Sequence, residues 1–134
     1  MARVLLALKA TVETAAGGAN GRSRRARSEA PPRTLVFDEI DTGIGGRAAE
    51  AVGRKLKALA RTSQVLCITH LPQIASFADH HYRIDKKVVG GRTRTSVQRL
   101  AANERSQEIA RMLSGAKLTE TSLRHAEQML KTNA

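Results

Sequence analysis

The spacing of apolar and polar positions changes period several times along the chain, and each change marks a predicted element. Val4, Leu5, Leu8 and Val12 recur at helical spacing before Gly17-Gly18, which predicts a helix within residues 1–16. The Gly/Ser/Pro-flanked stretch GRSRRARSEAPP follows and reads as a loop within 17–33. TLVFD (34–38) is a short apolar run with strand character. Beyond Gly45-Gly46, Ala48, Val52, Leu56 and Leu59 share one helical face, with Glu50 set to pair with Arg54 on the other. QVLCIT (64–69) is a second unbroken apolar strand. Two such strands joined by a helix predict a parallel βαβ unit buried on both faces. LPQIASFAD (71–79) then reads as a short helix, and HYRIDKKVV (81–89) and RTRTSVQRL (92–100) flank Gly90-Gly91 as a hairpin. Two helices close the chain. Asn103 is a candidate cap for one that carries Ile109 and Leu113 and stops at Gly115. Thr119 is a candidate cap for the other, with Leu118 and Leu123 as a hydrophobic staple and Ala126 and Leu130 extending its apolar face. The predicted class is α/β.

Composition bounds what such a fold can do. At 134 residues and 41% hydrophobic content the chain can bury one core, and at 2% aromatic content that core is aliphatic. Stacking on bases is then not a main binding device, and any nucleic-acid contact is chiefly ionic. The single cysteine, Cys67, cannot form an internal disulfide and sits in the apolar run VLCI, where a buried structural thiol is expected. No apolar run reaches the length of a membrane span and no signal peptide is evident, which points to the cytosol and away from membranes. The net charge of +11 is unevenly placed, with seven of the 23 Lys/Arg residues but only two of the 12 Asp/Glu residues in the first 33 positions. Arg22, Arg24, Arg25 and Arg27 concentrate that excess. They read either as a solvated linker or as a patch for nucleic-acid phosphates.

Chemistry is concentrated where TLVFD ends. Asp38, Glu39 and Asp41 fall within four positions and are followed by glycines. Crowded carboxylates repel and raise one another's pKa, a cost that a cation or a reaction can offset. The carboxyl end of a parallel strand is where open α/β sheets bind ligands and where Walker B residues sit. In that role Asp38 holds the water shell of a nucleotide-bound Mg²⁺, and Glu39 polarises the water that attacks the γ-phosphate. An acidic turn ahead of a helix is the plain alternative. The second strand adds His70, thirty-two positions after Asp38 and at the same strand end. That repeated geometry favours an imidazole that contacts a γ-phosphate oxygen. His80, His81 and His125 show no metal-ligand spacing and are read as structural.

TLVFDEIDTGIGGRAAEAVG, VLCITHLPQIASFAD, EIARMLSG and TSLRHAEQML together resemble the carboxyl-terminal part of the RecN family, bacterial DNA-repair ATPases related to SMC proteins. The resemblance covers about residues 33–131. It implies a partial ABC-type ATPase head, with parallel strands that carry Walker B and the switch histidine, a hairpin, and carboxyl-terminal helices. Asp38 and Glu39 match the Walker B aspartate and catalytic glutamate, and His70 matches the switch histidine. Asp41 and the segment Gly43, Ile44, Gly45, Gly46 match the D-loop, which in this class reaches across a head-to-head dimer. The resemblance implies ATP and Mg²⁺ as cofactors, DNA and a second copy as partners, and a cytoplasmic, nucleoid-associated site of action.

Departures from the family pattern bound that reading. No G-x-x-x-x-G-K-[ST] phosphate loop occurs in the sequence, nor does a Q-loop or a coiled-coil arm. The resemblance divides the chain into a helix that follows the missing signature segment (1–16), a basic loop (17–33) and the carboxyl-terminal lobe (34–134), and it implies that the family's chain extends before Met1. Two expectations follow: the chain by itself hydrolyses no ATP, and the VLCIT strand has an unpaired edge where the family places its phosphate-loop strand. Two other classes compete, a non-enzymatic basic DNA-binding module and a helicase core suggested by DEID. The THLPQIA switch and the GIGG loop argue against the helicase.

Overall fold

The computed structural model describes residues 3–8, 33–115 and 117–134. Five strands, β1 (Arg3–Leu8), β2 (Thr34–Asp38), β3 (Gln64–Thr69), β4 (His80–Val89) and β5 (Arg92–Arg99), form one sheet in the order β2-β3-β1-β4-β5. The helices are α1 (Gly46–Leu59), α2 (Pro72–Ala75), α3 (Ala102–Ser114) and α4 (Glu120–Asn133). Strands β2 and β3 run parallel, with Thr34 opposite Gln64 and Asp38 opposite Ile68, and α1 makes the crossover between them. The predicted βαβ unit is present, and the sheet as a whole is mixed.

The amino-terminal segment corrects the reading of 1–16 as a helix. Residues 3–8 are a strand, antiparallel to β3 on one side and to β4 on the other. The run Val4-Leu5-Leu6-Ala7-Leu8 satisfies helical spacing and also an unbroken strand, a tie that periodicity cannot break. Two open strand edges break it, because β1 offers both of them backbone partners that a helix would withhold. For the same reason the expected unpaired edge of VLCIT is not found: β3 is an interior strand, with Leu6 opposite Cys67. The remainder of the predicted helix and the basic loop, with Arg22, Arg24, Arg25 and Arg27, lies outside the described residues.

The core lies on the face of the sheet that the helices cover. Along β3, Val65, Cys67 and Thr69 are buried while Leu66 and Ile68 are only half-buried, and in β2 Val36 is 64% exposed. The βαβ strands are therefore not buried on both faces, because among the described residues the helices pack on one side only. Ala49, Leu56, Ile74, Ala75, Ala78, Ile109, Ala110 and Ala126 close over Val65 and Cys67. On α1 the inward face is Ala49, Gly53 and Leu56, whereas Ala48 is exposed, a one-residue rotation from the predicted stripe. Gly53 is there because α2 crosses closely: a Cβ would overlap Cδ2 of the Phe77 ring and come within 2.8 Å of its Cε2. The Glu50–Arg54 pair forms as predicted, at 3.0 Å.

Polar contacts fix the helices to one another. Arg105 of α3 reaches carbonyls at the end of α2, at 3.1 Å from the Ser76 oxygen. Asn133, at the end of α4, donates from Nδ2 to Ser76 Oγ at 2.8 Å, and its carbonyl accepts from Lys57 of α1 at 2.8 Å. Thr119 caps α4 as expected, accepting from the Ser122 amide at 3.1 Å. Asn103 is not the cap of α3. The helix begins at Ala102, two residues earlier than that cap implies, and Glu104 supplies the end contact by accepting from the Ala101 amide at 2.8 Å.

Candidate functional site

Strand β2 ends at Asp38, and the chain then turns sharply because Glu39 takes a left-handed conformation, φ 53°. A non-glycine residue rarely holds that region, and where one does the strain is often tied to function. The turn is closed by Thr42, whose amide and hydroxyl both donate to the Glu39 carbonyl, at 3.4 and 3.1 Å. Asp38 and Glu39 are both exposed, and the change of backbone direction between them aims neighbouring carboxylates differently. The segment then reaches α1 through Gly43 (φ 76°) and Gly46 (φ 52°), two left-handed positions that suit glycine. Gly45 between them is extended and exposed.

Asp41 behaves unlike its two neighbours. It is 2% exposed, and one of its oxygens, Oδ2, accepts from two groups at the end of β3, the Thr69 hydroxyl and the His70 amide at 2.9 Å, while His70 Nδ1 lies 3.0 Å from the same oxygen. Burial by itself pushes this carboxyl up, but the hydrogen bonds from Thr69 and from backbone amides outweigh burial and hold it below the usual aspartate value. The crowding of three carboxylates thus resolves into two that face solvent and one that clamps the next strand. The resemblance places Asp41 in the D-loop. Its carboxylate ties the turn after β2 to Thr69 and His70, a contact that sequence spacing does not reveal. Thr69 was missed altogether, and a small polar residue between an apolar run and a histidine was its only signal.

This clamp fixes the chemistry of His70. An ionised carboxylate has no proton to give, so the proton in the Asp41–His70 contact belongs to Nδ1. A neutral ring then presents Nε2 as an acceptor, on a side chain that is 67% exposed. Donation from Nε2 to an anionic oxygen takes a second proton on the ring. Behind the site, Cys67 is fully buried, and burial followed by the charges of Asp41 and Asp38 pushes its thiol up to about 12, so it is inert packing. Of the other histidines, His80 contacts Arg99 at 3.0 Å from Nδ1, and His81 is buried under α3. Asp38, Glu39, Asp41 and His70 thus gather at the carboxyl ends of two adjacent parallel strands. Among the described residues no cluster of three or more His, Cys, Asp or Glu could hold a metal by itself.

The fold and this site define a class: a mixed α/β domain whose polar groups gather at the ends of a parallel strand pair, which is how sheet proteins of the ligand-binding kind present their chemistry. Comparison with known proteins narrows the class to one family. The chain is 42% identical over 129 residues to the DNA repair protein RecN of Bacillus subtilis, which covers 92% of this chain and 22% of that protein. It is 41% identical over 130 residues to the DNA repair protein RecN of Mycobacterium leprae, covering 97% of this chain and 19% of the relative. It is 54% identical over 97 residues to the DNA repair protein RecN of Deinococcus radiodurans, covering 72% of this chain and 17% of the relative. No family model matches. Over the matched residues this chain belongs to the RecN family, and it spans about a fifth of the length of these relatives.

Proposed function

We propose that the chain supplies part of the ATP-hydrolysing head of a RecN-type DNA-repair protein, with the water-activating carboxylate and the phosphate-facing histidine but without the phosphate loop. The observation that carries this reading is the pairing of two exposed carboxylates, Asp38 and Glu39, at the end of β2 with a histidine at the end of β3 whose Nδ1 lies 3.0 Å from Asp41 Oδ2. Asp38 is the residue that would hold Mg²⁺ through its water shell. One exposed carboxylate suits an ion shared with nucleotide phosphates better than a metal caged by protein alone. Mg²⁺, when bound, screens phosphate charge. Glu39 takes the proton of the attacking water, and His70 meets a terminal phosphate oxygen through Nε2 in its doubly protonated form. Asp41 positions His70, and the turn through Gly43, Gly45 and Gly46 is the surface offered to a second head.

The chain contains no phosphate loop, so it hydrolyses no ATP alone, and the test places it in the matching segment of the full-length Bacillus subtilis relative. There Glu39→Gln keeps size and hydrogen bonding but loses the charge that polarises water. Turnover should fall by about 10²–10⁴-fold, the usual range for loss of a general base. ATP affinity should stay the same, and the variant should accumulate as an ATP-dependent dimer. Asp38→Asn should instead weaken Mg·ATP binding and leave monomers. Normal turnover in Glu39→Gln, or no response of either variant's size-exclusion profile to Mg·ATP, would refute these roles.

A further inference from the structure

The hairpin of β4 and β5 carries a charge pattern that the nucleotide site does not use. Strand β1 pairs with β4 only as far as Arg3 opposite Ile84. Beyond that point, among the described residues, Asp85–Val89 and Arg92–Ser96 have only each other as strand partners, and they extend from the sheet as a two-stranded ribbon about 17 Å long. Register sorts its side chains onto two faces. Lys87 lies opposite Arg94 and Val89 opposite Arg92, on one face; Lys86 lies opposite Thr95 and Val88 opposite Thr93, on the other.

The first face is unusual in energy as well as in charge. Like charges directly opposite one another destabilise an antiparallel pair, and Lys87 and Arg94 occupy such a pair. The nearest acid on that face, Asp85, is engaged by Arg83 Nε at 2.8 Å. Among the described residues none of Lys86, Lys87, Arg92 and Arg94 makes an ion pair, and all four are exposed. The ribbon from Lys86 to Arg94 has four cations and no acidic residue. An external polyanion would relieve the repulsion.

We propose that this ribbon is a DNA-docking element whose Lys87, Arg92 and Arg94 contact the phosphates of duplex DNA. A two-stranded ribbon is a shape that the B-form major groove admits, and about 17 Å of reach exceeds that groove's depth of roughly 8.5 Å. The ribbon has no aromatic residue, so it lacks the stacking surfaces that single-strand binders use, and phosphate contact on a duplex is what its chemistry supports. The choice of DNA among polyanions rests on the reading of the chain as part of a DNA-repair protein; the ribbon's charge and geometry do not depend on the nucleotide site.

The test measures binding of this chain to a labelled 30-base-pair duplex by fluorescence anisotropy, without nucleotide, across a salt series. Lys87→Ala/Arg92→Ala/Arg94→Ala is compared with Arg54→Ala/Lys55→Ala/Arg61→Ala, which removes the same charge from exposed positions on and after α1. Each phosphate contact contributes about 0.9 to the slope of log affinity against log salt, so the ribbon variant should lose about 2 to 3 units of slope and the control far less. Circular dichroism establishes that both variants are folded. An unchanged slope in the ribbon variant, or equal losses in both variants, overturns the proposal. Loss of binding to polyglutamate with duplex binding intact would assign the ribbon to an acidic protein surface and overturn it as well. Because no nucleotide is present, failure here leaves the assignments of Asp38 and Glu39 untouched.

Discussion

Replacing Asp41 by alanine tests the clamp between the turn after β2 and the end of β3. The substitution removes the one acceptor shared by the Thr69 hydroxyl and the His70 amide, and the carboxylate that lies 3.0 Å from His70 Nδ1. The imidazole is largely exposed and finds water instead, so its contact adds little to stability. The other two donors sit behind the strand end, and each buried donor left without a partner costs about 1–3 kcal/mol. Relief from burying a charge offsets part of this, which leaves a loss of about 2–4 kcal/mol. Asp41→Asn keeps an acceptor oxygen but loses charge assistance, and should cost roughly half as much. The difference has a defined pH dependence. The Asp41 carboxyl is held below its unfolded value, so its contribution is fully present above about pH 4 and is lost as pH falls through the lower, folded-state value. Urea unfolding followed by circular dichroism should therefore separate wild type from Asp41→Asn at pH 7, with the gap narrowing as pH falls below about 4. Nitrogen-15 NMR of the His70 ring adds a readout that stability alone would not move. Wild type should carry its proton on Nδ1, and Asp41→Ala should revert to the Nε2–H form favoured in water. Equal urea midpoints for wild type and Asp41→Ala, or a wild-type ring protonated on Nε2 alone, would sink the argument.

Two further substitutions test the packing that supports this site. Gly53→Ala gains about 1 kcal/mol of helix propensity but drives a methyl into the Phe77 ring and to 3.2 Å from the Gln73 carbonyl oxygen, an overpacking that costs about 1–3 kcal/mol. A lower melting temperature, partly restored by adding Phe77→Leu, is the expected result; a rise in Gly53→Ala alone would contradict it. His81 is buried with neither ring nitrogen bonded among the described residues, and burial, then the nearby Arg105 guanidinium, lowers it to about 4 despite an opposing pull from Glu108. The unfolded chain therefore takes up a proton near pH 6.5 that the folded chain refuses until about pH 4, and stability falls across that window by on the order of 3 kcal/mol. His81→Leu should flatten the decline in urea midpoint between pH 7 and pH 4.5, and an unaltered decline would show that His81 is not its source.

The parts of the fold that were legible in the sequence are those in which local pattern and tertiary demand agree. TLVFD and QVLCIT are strands because apolar β-formers run unbroken between turn residues, and Gly90-Gly91 makes the hairpin because both glycines take positive φ, 58° and 72°. Asp38, Glu39 and His70 could be placed together because a parallel pair brings the carboxyl ends of its strands to one edge. Asp41 could not be assigned in the same way. Its burial depends on the left-handed turn at Glu39, and no spacing rule says which of three adjacent carboxylates folds back onto Thr69. Asn103 was misjudged as a cap because its polar side chain fits that role, whereas Glu104 reaches back far enough to start the helix two residues earlier.

The amino-terminal strand shows why a segment can be read correctly in composition and wrongly in structure. RVLLAL is apolar at nearly every position, so its own preference does not decide between a helix laid on the core and a strand inside the sheet. The decision comes from β3 and β4, which run antiparallel to it on either side and would otherwise each expose a row of amide and carbonyl groups. Five residue pairs on each flank make β1 the element that joins the βαβ unit, with its carboxylates and His70, to the hairpin, with its basic ribbon. Strand β4 has no other described strand between it and β3. The alignment of the ribbon with the edge that carries Asp38, Glu39 and His70 is therefore set through residues 3–8, and a change in what occupies that position in the sheet would move one site relative to the other.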